Sequence, residues 1–202
     1  VAANVTLAEY GTTGTLVDRA CARLDTPLVV HFHGFDASRT DILECKGADY
    51  RRMFSRSSAV VAVSRTMERQ LLQLGCPRDK LVYNPYGVDC AKFAGAAPAT
   101  AAPHFVAVGR MVEKKAPHLT ITAFARVVAE CPEARLRMIG DGHLLGVCRD
   151  LAAALGIEHA VTFLGAQPHE IVEREMRQAR ALVQHSVTAS NGDPWRRLLR
   201  VF

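Results

Sequence analysis

Short apolar runs recur along this chain, separated by longer segments of helical periodicity, a rhythm that few folds accommodate. Leu28-Val29-Val30-His31-Phe32 and Ala59-Val60-Val61-Ala62-Val63 are near-continuous apolar stretches, as strands buried on both faces are. Ser64 is then placed as the N-cap of a helix carrying Met67, Leu71 and Leu74, which Gly75 closes with Pro77 just beyond. Leu81-Val82-Tyr83 reads as a further short strand that runs into the loop Asn84-Pro85-Tyr86-Gly87.

After the small-residue segment 94–103 the same rhythm restarts. Phe105 to Gly109 reads as a strand, and Pro117 as the first turn of a helix with Ile121, Phe124, Ala125 and Val128 on one face. Leu136 to Ile139 is a strand ending at Gly140, and Leu144 to Leu155 a helix closed by Gly156. A strand at Val161 to Leu164, a helix at Glu170 to Gln178 and a strand at Ala181 to Gln184 follow. Such alternation implies right-handed βαβ crossovers and parallel sheets. The expected fold class is α/β, with two doubly wound Rossmann-like domains facing a cleft. Residues 1–93 form the first and 104–202 the second, with 94–103 as a linker; its plainer alternative is an ordinary surface loop.

Composition narrows the function classes. With 49% hydrophobic residues and no low-complexity run, the 202 residues are expected to build a packed core. The net charge of +5 suits an anionic small ligand or an anionic membrane surface. No basic stripe interleaves with aromatics, so nucleic acid is not an expected partner. Cys21, Cys45, Cys76, Cys90, Cys131 and Cys148 form no C-x-x-C pair, so neither a disulfide framework nor a zinc site is expected, and the thiols suit a reducing cytosol. No apolar run approaches the roughly 20 residues that span a bilayer. Val1-Ala2-Ala3-Asn4 has no basic n-region and no initiator Met; no signal peptide is expected, and the natural start is expected upstream.

In a doubly wound sheet, ligands collect at the carboxyl ends of strands. Gly109-Arg110 follows one such end, and Lys114-Lys115 occupy the turn before the next helix. A planar fork of donors, a mobile ammonium and helix amides together suit a diphosphate. On residue chemistry alone, a solvated charged turn is an equal reading. His33 follows the strand at 28–32 and precedes Gly34, which lets a ligand approach the backbone closely; a satisfied structural histidine is the alternative. His31, one residue from Phe32, should point to the other face of its strand and is read as structural.

The segment Gly109-Arg110-Met111-Val112-Glu113-Lys114-Lys115-Ala116-Pro117 resembles the G-R-x-x-x-x-K-G/A motif of the retaining glycosyltransferases of the GT-B fold, the large "group 1", family 4 type. Val63-Ser64, Asn84-Pro85-Tyr86-Gly87-Val88-Asp89, Ile139-Gly140-Asp141-Gly142 and Phe163-Leu164-Gly165 resemble further segments of that family, in the expected order. Each alone is weak, and Gly140-Asp141-Gly142 is by itself an ordinary turn.

The resemblance implies a retaining hexosyltransferase that uses a nucleoside diphosphate sugar and a polysaccharide or lipid-linked acceptor. Arg110 and Lys115 would hold the donor diphosphate, with Gly109, Gly140, Asp141 and Gly142 in loops near the nucleotide and His33 in a sugar-contacting or proton-handling role. No cofactor and no metal would be needed, because the two cations neutralise the leaving group. A cytoplasmic place at the inner face of the membrane, with peripheral association, goes with that reading. An epimerase or a pyridoxal-dependent phosphorylase of related fold fits the motif series less well.

His185-Ser186-Val187-Thr188-Ala189-Ser190-Asn191-Gly192-Asp193 resembles the run leading into the family's paired glutamates, but Trp195 stands where the first is expected. The second would fall just past Phe202, and the tail from Pro194 matches nothing in the family pattern. Both domains are therefore expected to be incomplete, by truncation or a shifted reading frame. The alternative function is a catalytically dead remnant that only binds nucleotide diphosphate, and this chain alone is expected to transfer no sugar.

Overall fold

The computed structural model describes residues 3–190. Strands and helices alternate throughout: β1 (Thr6–Glu9), α1 (Gly11–Arg23), β2 (Leu28–Phe32), α2 (Thr40–Arg56), β3 (Ala59–Ala62), α3 (Arg65–Gln73) and β4 (Leu81–Tyr83). Then follow β5 (His104–Val108), α4 (Pro117–Glu130), β6 (Arg135–Ile139), α5 (Leu145–Ala154), β7 (Val161–Gly165), α6 (His169–Gln178) and β8 (Ala181–Leu182). The strands form two four-stranded sheets in which every pairing is parallel. Each sheet lies in its own compact unit, whose described parts are residues 3–87 and 88–190. The second unit takes in the small-residue segment 94–103, where the Pro98 and Ala99 carbonyls accept from the Arg180 guanidinium. The expectations placed on Asn191, Gly192, Asp193 and the tail from Pro194 through Trp195 to Phe202 lie outside the described residues.

Local chemistry explains the helix ends that the sequence marks. The Ser64 hydroxyl accepts from the Met67 amide at 3.1 Å, capping α3, and Gly75 adopts φ +94 just past its end. Pro117 opens α4, where its missing N–H costs nothing.

The two sheets are wound differently. In the first the strands run in chain order, β1-β2-β3-β4. Right-handed crossovers that always step the same way lay every helix on one face. Cys21 of α1, Tyr50, Met53 and Phe54 of α2, and Met67 and Leu71 of α3 accordingly share one core with Leu28, Val30, Phe32, Val60 and Ala62. On the opposite face Leu7 and Val82 are 57% and 46% exposed. In the second sheet the order is β7-β6-β5-β8, so the winding reverses at β5. Phe105 and Ala107 pack with α4 and α5, whereas Val106 and Val108 pack with Val172 and Met176 of α6. The expected reversal of winding is thus found in the second sheet, while the described strands of the first advance in one direction.

Three elements carry no clear sequence signal: β1, α1 and α2. Helix α1 opens Gly-Thr-Thr-Gly and buries Gly11, Gly14, Thr15, Asp18 and Cys21, so its inner face is small and polar instead of an apolar stripe. Buried Asp18 takes both Arg52, at 3.0 Å, and Arg56, at 3.3 Å, from α2, which ties the two helices together through charge.

The loops after β5 and β6 lock together through two glycines. Gly140 (φ +134) and Gly142 (φ +153) let the chain after β6 run against the backbone of Gly109 and Met111. A Cβ at Gly140 would lie 2.0 Å from the Gly109 carbonyl oxygen, and one at Gly142 would lie 2.4 Å from that of Met111. Gly140→Ala should therefore destabilise the protein by on the order of 3 kcal/mol, because backbone cannot yield as a side-chain tip can. Chemical denaturation measures this, and an unchanged midpoint would show that the two loops do not depend on the close approach.

Candidate functional site

The reversal at β5 opens a crevice between the carboxyl ends of β5 and β8, where an α/β sheet places its ligands. Gly109, Arg110, Met111, Lys115, Gln184 and His185 line it. Lys115 precedes Ala116, which is held left-handed at φ +42 and caps the N-terminus of α4. The chain beyond β8 is pinned beside this turn, because the Val187 amide donates to the Lys114 carbonyl at 2.9 Å. The Glu113 carboxylate accepts from both the amide and the hydroxyl of Ser190, at 2.8 and 2.9 Å.

Arg110 is exposed and Lys115 half-buried. Among the described residues neither makes an ion pair with a carboxylate. Burial, followed by the neighbouring charges of Lys114 and Arg110, holds the Lys115 ammonium below the ordinary lysine pKa. The crevice therefore holds positive charge that no described carboxylate neutralises, next to a helix N-terminus. An anion relieves each of those costs at once.

The Gly140-Asp141-Gly142 turn joins the same edge. Met111 donates its amide to the Asp141 carbonyl at 2.9 Å, and the Gly142 amide donates to the Asp141 side chain at 2.7 Å. Gly109, Arg110, Lys115, Gly140, Asp141 and Gly142 are thus brought to one end of one sheet. Gln184 and His185 also line this crevice, and the sequence assigned neither of them to it.

His33 belongs to the first unit, just past the end of β2. Its loop is organised by Asp36, which is fully buried. The Asp36 carboxylate accepts the amides of Gly34 at 2.7 Å, Gly11 at 2.9 Å and His33 at 3.1 Å. Gly11 is the first residue of α1, so the buried carboxylate also lies at a helix N-terminus. The Tyr50 hydroxyl donates to the Asp36 carbonyl at 2.8 Å.

The His33 ring is held by groups from several elements. Its Nε2 meets the Glu9 carboxylate and its Nδ1 meets the Tyr86 hydroxyl. The Tyr10 ring lies against it at 4.5 Å between centroids, and the Tyr86 ring stacks on it at 5.8 Å. The hydrogen bond from His33 is the main reason that Glu9 sits below the usual carboxylate pKa. His31 does point away from Phe32, as alternation requires, but it also faces this cluster, with Nδ1 3.3 Å from Glu9. Glu9 left no trace in the sequence because it lies 24 residues before His33. Only the parallel register that sets Glu9 beside His31 brings it there.

Glu9, His31 and His33 form the single group of three metal-type ligands among the described residues, with donor atoms within 4.8 Å of one another. His31 fits a metal poorly. Binding through Nδ1 would place the ring proton on Nε2, which is buried without a partner. A ligating imidazole normally donates that proton to an acceptor. The cluster suits a hydrogen-bonded triad better.

Residues 92–193 match the family description "Glycosyl transferases group 1", and residues 5–92 match "Glycosyltransferase Family 4". The amylovoran biosynthesis glycosyltransferase AmsK of Erwinia amylovora is 30% identical over 196 residues, which cover 95% of this chain and 48% of AmsK. WcaL of Escherichia coli K12 is 28% identical over 196 residues, with the same coverage of 95% and 48%. The chain thus spans about half the length of these curated relatives. Among solved structures, Anabaena HepE in complex with UDP and glucose aligns with a TM-score of 0.73 at 18% identity, over 90% of this chain and 52% of HepE. That likeness establishes the shared fold.

Asp36→Ala should strip three buried amides of their acceptor. An unmet buried donor costs roughly 1–3 kcal/mol, so the loss should reach about 3 kcal/mol or more. Hydrogen exchange should show lost protection at Gly11, His33 and Gly34 together. Retained protection at all three would mean that Asp36 does not organise the loop.

Proposed function

The chain belongs to the glycosyl transferases group 1 family, and from that premise we propose that its protein transfers a hexose from a nucleoside diphosphate sugar to a polysaccharide or lipid-linked acceptor, with retention at the anomeric carbon. The observation that carries the donor half of this reading is the pair Arg110 and Lys115 at the α4 N-terminus, which no described carboxylate neutralises. As the bond from sugar to phosphate breaks, negative charge grows on the leaving diphosphate. Fixed cations at that point stabilise the transition state more than the ground state, an effect typically worth roughly 10²–10³ in rate per group. Two such cations supply what a divalent ion would otherwise supply, so the transfer is read as metal-independent.

The Gly109 and Gly140-Asp141-Gly142 loops are assigned to the nucleotide side, because their backbones meet at the same strand edge as Arg110. His33 is assigned to the sugar, since its loop is rigidly held and its ring is polar and partly open. AmsK is named for the biosynthesis of amylovoran, which supports a polysaccharide acceptor. No helix among the described residues is long and apolar enough to cross a membrane, and any membrane contact is assigned to peripheral association.

Titration of UDP and GDP against the chain by calorimetry tests the donor site. Arg110→Ala and Lys115→Ala should each weaken diphosphate binding by roughly 10- to 100-fold, the range for a lost hydrogen bond to a charged group. His33→Ala should leave it nearly unchanged. Because Lys115 titrates below an ordinary lysine, affinity should fall as pH rises through its lowered pKa, where the ammonium is lost; Lys115→Arg should remove that fall. Wild-type affinity in both alanine variants would refute the diphosphate assignment. Diphosphate binding without transfer in any protein containing this segment would favour the binding remnant.

A further inference from the structure

The hydrogen-bond network around His33 leaves one consistent placement of its protons. Glu9 is a carboxylate with a lowered pKa, so it accepts and does not donate. His33 Nε2, in contact with it, must carry a hydrogen, and in the neutral ring Nδ1 is then a bare lone pair. The Tyr86 phenol meets that lone pair. Loss of water around its hydroxyl, then the nearby carboxylates and Tyr10, raise the Tyr86 pKa, so it remains an O–H donor. The chain runs in one direction: Tyr86 O–H to His33 Nδ1, and His33 Nε2–H to Glu9. His31 supports it from the side, with its Nδ1–H on the same carboxylate and its bare Nε2 left in the protein interior.

The backbone supports the same arrangement. Tyr10, directly after Glu9, is held at φ +74, ψ 138, a conformation that L-residues with side chains rarely adopt. Its amide is committed to the His31 carbonyl at 2.8 Å, and its ring covers His33. Strain of this kind persists only where surrounding contacts over-determine it. Tyr86 is different. The residue as a whole is 57% exposed and lies on the loop after β4, outside any regular element.

We propose that Glu9 is a positioning residue that fixes His33 as the Nε2–H tautomer, presenting Nδ1 as a hydrogen-bond acceptor for a sugar hydroxyl whose place the Tyr86 hydroxyl holds. This rests on the assignment of His33 to the sugar and adds which nitrogen serves, what sets it, and which side chain must yield. A hydroxyl donor exchanges for a hydroxyl donor, so the exchange costs the site no unpaired group. Substrate chemistry follows from the geometry: a hydroxyl can replace Tyr86, and a group that only accepts, such as an ether or carboxylate oxygen, cannot.

Nitrogen-15 correlation spectra of the histidine-labelled 202-residue chain read the tautomer directly and need no sugar and no activity. In the wild type at a pH where the ring is neutral, His33 should show a protonated Nε2 and a bare Nδ1. Glu9→Ala should spread it over both tautomers, whereas Glu9→Gln, whose carbonyl still accepts, should restore the single form. Tyr86→Phe should keep the Nε2–H tautomer and shift Nδ1 toward a nitrogen without a hydrogen-bond donor. A wild-type His33 protonated on Nδ1, or a tautomer unmoved by Glu9→Ala in a folded variant, would overturn the proposal. Failure of UDP to bind at Arg110 and Lys115 would overturn the donor reading while leaving this result standing.

Discussion

A strand that pairs in parallel with its neighbour can be reached only by carrying the chain back across a face of the sheet, so every strand releases its loop at the same edge. All eight described strands obey that constraint, and most of the chemistry described above follows from it. In the first unit the carboxyl ends of β1, β2 and β4 deliver Glu9, His33 and Tyr86 to one edge. In the second, the ends of β5, β6 and β8 deliver Arg110, Asp141 and Gln184. No sequence proximity is needed for either set, only a shared register.

The two units handle charge in opposite ways. Asp36 is buried at a helix N-terminus and satisfied by three amides, so its charge is spent on holding a loop rigid. Arg110 and Lys115 also flank a helix N-terminus, but there the charges repel one another and the helix end, with no carboxylate among the described residues to offset them. A folded protein tolerates such a cost where a ligand removes it. Burial alone does not distinguish the two cases, since Lys115 is itself half-buried.

Winding sets where each unit can carry a crevice. Because the second sheet reverses at β5, helices cover both of its faces and a gap opens between β5 and β8. The first sheet steps one way among its described strands, and the loop after β2 is instead shaped by the amides that the Asp36 carboxylate accepts and by the rings around His33. Gly140 and Gly142 let the loop after β6 lie directly on the loop after β5.

The sequence by itself determined the alternation of strands and helices, the Ser64 cap, the Pro117 start and the placing of Arg110 and Lys115 beside a helix N-terminus. These are local: each rests on side-chain periodicity or on backbone groups within a turn of the residue concerned. The G-R-x-x-x-x-K segment was legible for the same reason, being contiguous. Helix α1 was not, because its buried face is glycine, threonine and aspartate, and its stability comes from Arg52 and Arg56 on another helix. Nor were the partners of His33. His31 looked structural until β1 paired with β2 and brought Glu9 beside it, and Tyr86 looked like a motif residue until its loop met the ring. Hydrogen bonds across 24 and 53 residues have no local signature; tertiary pairing alone decides which carboxylate faces which imidazole, and hence where the proton sits.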